Sequence, residues 1–272
     1  MNLNVIDEET IKVSDNVHYE VTKLGNHHVI TIDNVLENPQ YFINNIVEKL
    51  PIRPTNNRDP NIVFPGPTGK FPIQLPELDY LVGYVIQKCT DFKDIDPKNI
   101  ESFYQLNAIY SDVEVKRASI QPHVDTALYA TVLYLNPEEN MQGGTSFFSH
   151  SSTGLTNMEH VHKPFKRTEE YWNLREWTYD FMKKSEEKID CDSLLMEDVW
   201  EEEHHVKMKY NRMIIFPSYM WHGAIIKKGW YKDKPRVSLS GFVPPSNLGV
   251  EWLNGITGLY PSFWGCSFYS RS

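Results

Sequence analysis

The order of apolar and polar positions divides the chain into a mixed first third and a strand-rich remainder. Residues 17–24 (VHYEVTKL) and 28–32 (HVITI) are rich in β-branched residues and read as strands. Asn38-Pro39 opens a helix, with Phe42, Ile43, Ile46, Val47 and Leu50 forming an amphipathic stripe. Residues 51–76 are rich in Pro, Asn and Gly and predict an irregular loop. Glu77 to Phe92 predicts a second helix, with Leu78, Leu81, Val82, Val85, Ile86 and Cys89 on one face. From residue 101 the period shortens. SFYQLNAIY, LYATVLYL, TSFF, MIIFP, HGAII and RVSLSGFV are short runs of β-branched and aromatic residues broken by turn residues. Such spacing predicts an antiparallel sandwich or barrel. Residues 151–209 interrupt it. Thr168 to Lys188 is charged and of helical period, which makes 151–209 a helical insertion between two core strands, either a cover for the barrel mouth or surface decoration.

Composition narrows the picture. A length of 272 residues, 40% of them hydrophobic, suffices for one sizeable core and excludes global disorder. The expected organisation is a single domain over 1–272: strands and supporting helices in 1–100, a β core in 101–250 and a tail in 251–272. A net charge of −9 argues against partners bound through phosphate, whether nucleic acid or an anionic membrane surface. No apolar run reaches the length of a membrane span, and MNLNVIDEET lacks the pattern of a signal peptide. Cys89, Cys191 and Cys266 are widely spaced and odd in number, as expected of reduced thiols in a cytoplasmic protein.

Candidate chemistry begins with His123-Val124-Asp125. On an extended backbone, residues i and i+2 point to one side, so an imidazole and a carboxylate can meet one ion. Among ten histidines such a triplet also arises by chance. Its context is more telling. His222 heads an apolar strand just after Phe216-Pro217-Ser218, and Arg236, Ser238 and Ser240 share one face of a later strand. A His-x-Asp pair with a distant His is the ligand set of mononuclear non-haem Fe(II), three adjacent positions of an octahedron with the others open. Structural zinc would call for four closed ligands. An Arg within a β core needs an anion, and beside such a metal a dicarboxylate is the natural one.

QPHVD, Tyr134-Leu135-Asn136, Gly143-Gly144-Thr145-Ser146-Phe147-Phe148, RMIIFPS, WHGA and PRVSLSGF together resemble the prolyl 4-hydroxylase-like Fe(II)/2-oxoglutarate dioxygenases, over roughly residues 100–245. The resemblance implies a mainly β fold with flanking helices around a double-stranded β-helix, the jelly roll of cupins, with the metal at its mouth. It implies His123, Asp125 and His222 as the catalytic iron ligands and Arg236 as partner of the 2-oxoglutarate C5 carboxylate. Tyr134, Tyr110, Ser238 and Ser240 would contact the same cosubstrate. It also implies O2 as co-reactant, release of succinate and CO2, and ascorbate as a candidate reductant. Because the carboxylate ligand Asp125 is present, hydroxylation is the expected outcome rather than halogenation, with desaturation or ring closure open to substrate placement.

The remaining histidines have plainer readings. His160 and His162 lie in a loop-like stretch, and His204-His205, following Glu201-Glu202-Glu203, reads as a solvated polar edge. Trp221 reads as packing beneath the site. The alternative for the whole protein is a cupin-type metal-binding module without oxygenase chemistry, which needs the triad but neither Arg236 nor Tyr134. The substrate stays open among an amino acid, a peptidyl residue and another small molecule.

Overall fold

In the computed structural model the residues described are 11–45, 68–70, 75–91, 93, 95–109, 111, 122–125, 127–151, 154, 156–157, 200–227 and 229–244. The predicted opening strands form a hairpin, β1 (His18–Leu24) and β2 (His27–Asp33), closed by Gly25 at φ 59°. Helix α1 (Pro39–Asn45) follows, and then α2 (Pro76–Cys89). Proline in the first turn of α2 lacks only an N–H that has no helical partner there. Glu77 and Asp79 at that end and Lys88 in the last turn suit the helix dipole. Thr90 ends the helix, its amide and hydroxyl both donating to the Ile86 carbonyl.

The rest of the described chain is mainly β and antiparallel. A short strand β3 (Thr68–Lys70) pairs with β4 (Phe103–Ile109), so the loop predicted over 51–76 contains a strand. Then come β5 (Tyr129–Tyr134), β6 (Gly144–His150), β7 (Trp200–Lys207), β8 (Met213–Pro217), β9 (His222–Ile225) and β10 (Arg236–Val243). They form a seven-stranded sheet, ordered β1-β2-β8-β5-β10-β4-β3, and a three-stranded sheet, ordered β7-β6-β9. Each of the six runs predicted beyond residue 101 is a strand. The boundary of the insertion is corrected, because residues 200–207 form β7 and pair with β6. The predicted helix at Thr168–Lys188, the tail 251–272, Cys191 and Cys266 lie outside the described residues. Cys89 is a free thiol. Among the described residues no helix is long and apolar enough to cross a membrane.

Strand alternation gives the large sheet two buried faces. One face packs Ile30, Ile32, Leu106, Leu133, Met213, Ile215 and Leu239 against Phe42 of α1 and Leu78, Val82, Val85 and Ile86 of α2. Each such aliphatic side chain contributes on the order of 1.5–3 kcal/mol when fully buried. The other face puts Ala130, Tyr134, Ile214 and Phe216 against Phe147 and Val206 of the small sheet. Gly143 and Gly144, at φ 77° and 153°, lead into the small sheet, and a Cβ on either would strike the carbonyls of Ile225 and Val206 respectively.

Polar ties fix the edges. Asp79, buried, accepts from the Ser102 amide at 3.0 Å and the Tyr104 hydroxyl at 2.8 Å, joining α2 to β4. At the end of β2, Asp33 accepts from Arg212 Nε at 2.6 Å and Nη2 at 2.9 Å, and from Lys209 Nζ at 2.8 Å. The Arg212 hydrogen bond, opposed by partial burial and assisted by Lys209, holds the Asp33 carboxyl down at about 2, below its ordinary 3.8. A depressed carboxylate stabilises the fold fully above the unfolded-state value and loses that contribution as pH falls through the folded-state value. Asp33→Asn should therefore destabilise the neutral protein by about 1 kcal/mol, a modest figure because water screens the pair. The difference from wild type should shrink between pH 3.8 and about 2, as read by denaturant unfolding across that range.

Candidate metal centre

The backbone brings the predicted ligands together before any side chain does. His123 donates its amide to the His222 carbonyl at 2.9 Å, and His222 donates back to the His123 carbonyl at 3.0 Å. This reciprocal antiparallel bridge sets the imidazoles side by side, ring centroids 4.5 Å apart. Two residues on, the Asp125 amide donates to the Ser218 carbonyl at 2.8 Å. His123, Asp125 and His222 thus offer three ligand atoms, all within 4.8 Å of one another.

The spacing suits one ion. His222 Nε2 lies 3.2 Å from Asp125 Oδ2. Two atoms bound about 2.1 Å from one metal at right angles stand about 3 Å apart. His222 Nδ1 is 2.8 Å from the Met220 carbonyl, which can only accept, so that nitrogen carries the proton and Nε2 keeps its lone pair for a metal. His222 is buried behind an aromatic wall, Phe216 at 4.6 Å edge-on and Phe147 at 5.0 Å from Phe216. His123 and Asp125 are half-buried. Two histidines and one carboxylate fill only part of a metal's coordination shell and leave positions for exogenous ligands.

Deeper between the sheets lies a second polar group. Arg236 is 3% exposed. Its Nη1 donates to Ser238 Oγ at 3.1 Å, and its guanidinium carbon lies 5.4 Å from the centroid of the Tyr134 ring. Its Nε has no hydrogen-bond partner, and no carboxylate among the described residues pairs with it. The Tyr134 hydroxyl lies 2.8 Å from Thr145 Oγ1. Burial raises the Tyr134 phenol above its ordinary 10, against the opposing pull of Arg236. The β10–β5 and β10–β4 registers align Tyr134, Ser238 and Asn107 across three strands. Ser240, on the same face as Arg236, accepts from Asn107 Nδ2 at 2.9 Å. The structure thus brings His123, Asp125 and His222 together, and separately Arg236, Tyr134, Ser238 and Ser240. Tyr110 and the His160–His162 pair lie outside the described residues.

Sequence reasoning missed Thr145, Asn107 and Ser218, which support these groups through hydroxyl and amide contacts. The RMIIFPS run contained the only signal for Ser218, a polar residue ending a wholly buried strand. His204-His205 is corrected from a solvated edge to half-buried positions on β7. His205 Nδ1 lies 2.7 Å from Ser146 Oγ, which also bonds Glu202, and His204 stacks on Phe147. Burial, with neighbouring His205, lowers the His204 pKa. Trp221 is buried as expected, its ring 4.8 Å from that of Trp200.

A profile described as a family of unknown function, DUF6445, matches residues 15–238. No curated protein matches the sequence significantly. Among solved structures, that described as the crystal structure of IDO from Bacillus thuringiensis aligns at 10% identity with a TM-score of 0.34, covering 62% of this chain and 55% of that one. The alignment thus spans little more than half of that protein's length, and similarity at this level carries no argument about activity.

The purified protein should bind one divalent first-row ion per chain. His222→Ala should weaken that binding by more than the roughly 10- to 100-fold expected from loss of a supporting contact alone. Equilibrium dialysis with metal analysis checks this. Equal uptake by the variant and the wild type would exclude His222 as a ligand.

Proposed function

We propose that the chain, which belongs to the DUF6445 family, is an Fe(II)- and 2-oxoglutarate-dependent dioxygenase that hydroxylates an amino-acid, peptidyl or other small-molecule substrate. The observation that carries this reading is the buried Arg236 with its unpartnered Nε, beside a two-histidine, one-carboxylate site. Among the described residues no anion faces this cation, and a buried unpaired cation is strongly disfavoured, so the position suits the carboxylate of a ligand. The donor set fits ferrous iron: imidazole and carboxylate in a facial arrangement with open positions. The similarity to prolyl 4-hydroxylase-like enzymes over residues 100–245 supports the same reading, with the two antiparallel sheets read as a double-stranded β-helix.

Strand register supports the placement of the cosubstrate. Phe147 is paired with His222, and Thr145 with Ala224, two residues deeper along β9. That step is about 7 Å. Thr145 meets the Tyr134 hydroxyl, whose ring faces Arg236. A five-carbon dicarboxylate is about 5 Å between its end carbons, with bonds near 1.5 Å. With one end at the triad, its other end falls among these groups.

His123, Asp125 and His222 would hold the iron, which when bound supplies the activation of O2 and the oxidative decarboxylation of 2-oxoglutarate to succinate and CO2. The chain's own residues bind and orient. Arg236 neutralises the distal carboxylate, and its planar fork gives a two-point match that Lys would not give. Tyr134 presents a phenol that burial keeps protonated and able to donate. Ser238 holds the guanidinium through Nη1, which leaves other donors for the ligand. Phe147 and Phe216 exclude water behind His222.

Arg236→Gln should weaken 2-oxoglutarate binding roughly 30- to 1000-fold, the equivalent of about 2–4 kcal/mol for breaking a desolvated charge pair. Tyr134→Phe should lose about 1 kcal/mol, as for a neutral hydrogen bond. Anaerobic titration of the Fe(II)-loaded protein, followed by the visible keto-acid absorption, measures both. Normal 2-oxoglutarate binding in a folded, iron-loaded Arg236→Gln variant would favour a metal-binding module without oxygenase chemistry.

A further inference from the structure

We infer that Ser218 is a positioning residue for the metal carboxylate. The inference rests on the reading that His123, Asp125 and His222 hold an ion. Asp125 stands outside the named strands, between the His123 bridge and the start of β5. No sheet ladder therefore sets its direction. Ser218 takes that place with contacts from one residue. Its carbonyl accepts from the Asp125 amide at 2.8 Å, and its amide donates to the Leu128 carbonyl at 3.1 Å. Its hydroxyl makes a short hydrogen bond to the Ala127 carbonyl and lies 3.2 Å from that of Asp125. The residue is fully buried.

The same turn carries the other ligand. Ser218 ends the run from β8, the Met220 carbonyl orients the His222 ring, and His222 follows two residues later. Ser218 thus joins the segment bearing the carboxylate to the segment bearing the buried imidazole. Asp125 Oδ2 sits 3.2 Å from His222 Nε2, and a shift of about 1 Å is enough to spoil a facial ligand set. The hydroxyl is the part of Ser218 that an alanine would remove, leaving the amide and carbonyl contacts in place. Its loss should loosen the 125–128 segment without removing any ligand.

The test uses Co(II) alone as the probe, whose visible absorption reports coordination geometry. Ser218→Ala should weaken Co(II) binding about tenfold, within the range for loss of a supporting contact, and alter the absorption spectrum. Far-UV circular dichroism of the metal-free variant should match the wild type. In an Asp125→Ala background, where there is no carboxylate to position, adding Ser218→Ala should produce no further weakening. Wild-type affinity and spectrum in Ser218→Ala would overturn the inference and leave the metal site standing. A full additional loss in the Asp125→Ala background would also overturn it, by showing a general structural role. Failure of the wild type to take up Co(II) would overturn the metal reading and this inference with it. If the alanine variant does not fold, Ser218→Cys, close in shape but a poor donor, carries the same test with about threefold weakening expected.

Discussion

The site depends on one pair of hydrogen bonds, the reciprocal exchange between the backbones of His123 and His222. An antiparallel pair that exchanges both bonds holds its Cα atoms about 5.5 Å apart, whatever the side chains are. Candidate ligands from distant parts of the sequence therefore become neighbours through the main chain, and the imidazoles inherit that closeness. The bridge also anchors the small sheet, because β9 starts at His222 and passes its register on to β6 and β7.

The large sheet divides its labour between its faces. The face toward α1 and α2 is almost wholly apolar. It supplies hydrophobic stabilisation without asking anything of function. The inner face interrupts an aromatic and aliphatic core with Arg236, Ser238, Asn107 and Tyr134, all buried. A cation placed there is tolerable because Ser238 and the Tyr134 ring partly replace its hydration. What they leave unmet is the Nε donor, which has no partner among the described residues.

Much of this was legible in the sequence. β2, α2 and the six strands beyond residue 101 announce themselves through the apolar side chains they carry, whereas β1, largely exposed, is legible only from its β-branched residues. The candidate metal residues could be found because His-x-Asp on an extended backbone sets both side chains to one side, and because His222 heads an apolar strand downstream. Strand β7 escaped notice because only Trp200 and Val206 on it are buried, and its glutamates and histidines show no apolar alternation. It lies at the end of the small sheet and takes its order from pairing with β6. Strand β3 is three residues, including a glycine, too short to have a period. Ser218 was hidden for another reason. Its partners are main-chain carbonyls and an amide, which nearly every residue possesses, so no pattern of side chains reports them.

Gly143 and Gly144 bear on how this protein can change over generations. Both adopt backbone angles that other residues resist, and both press against a neighbouring carbonyl where a Cβ would sit. Every missense change at a glycine codon adds a Cβ. These two positions therefore admit a single amino acid, and they sit at the start of the strand that runs to Thr145 and Phe147, the latter paired with His222. Sequence drift that reshapes the surroundings must go around them. The entry to β6 acts as a fixed hinge pin, and tolerated variation is pushed to other positions around the triad.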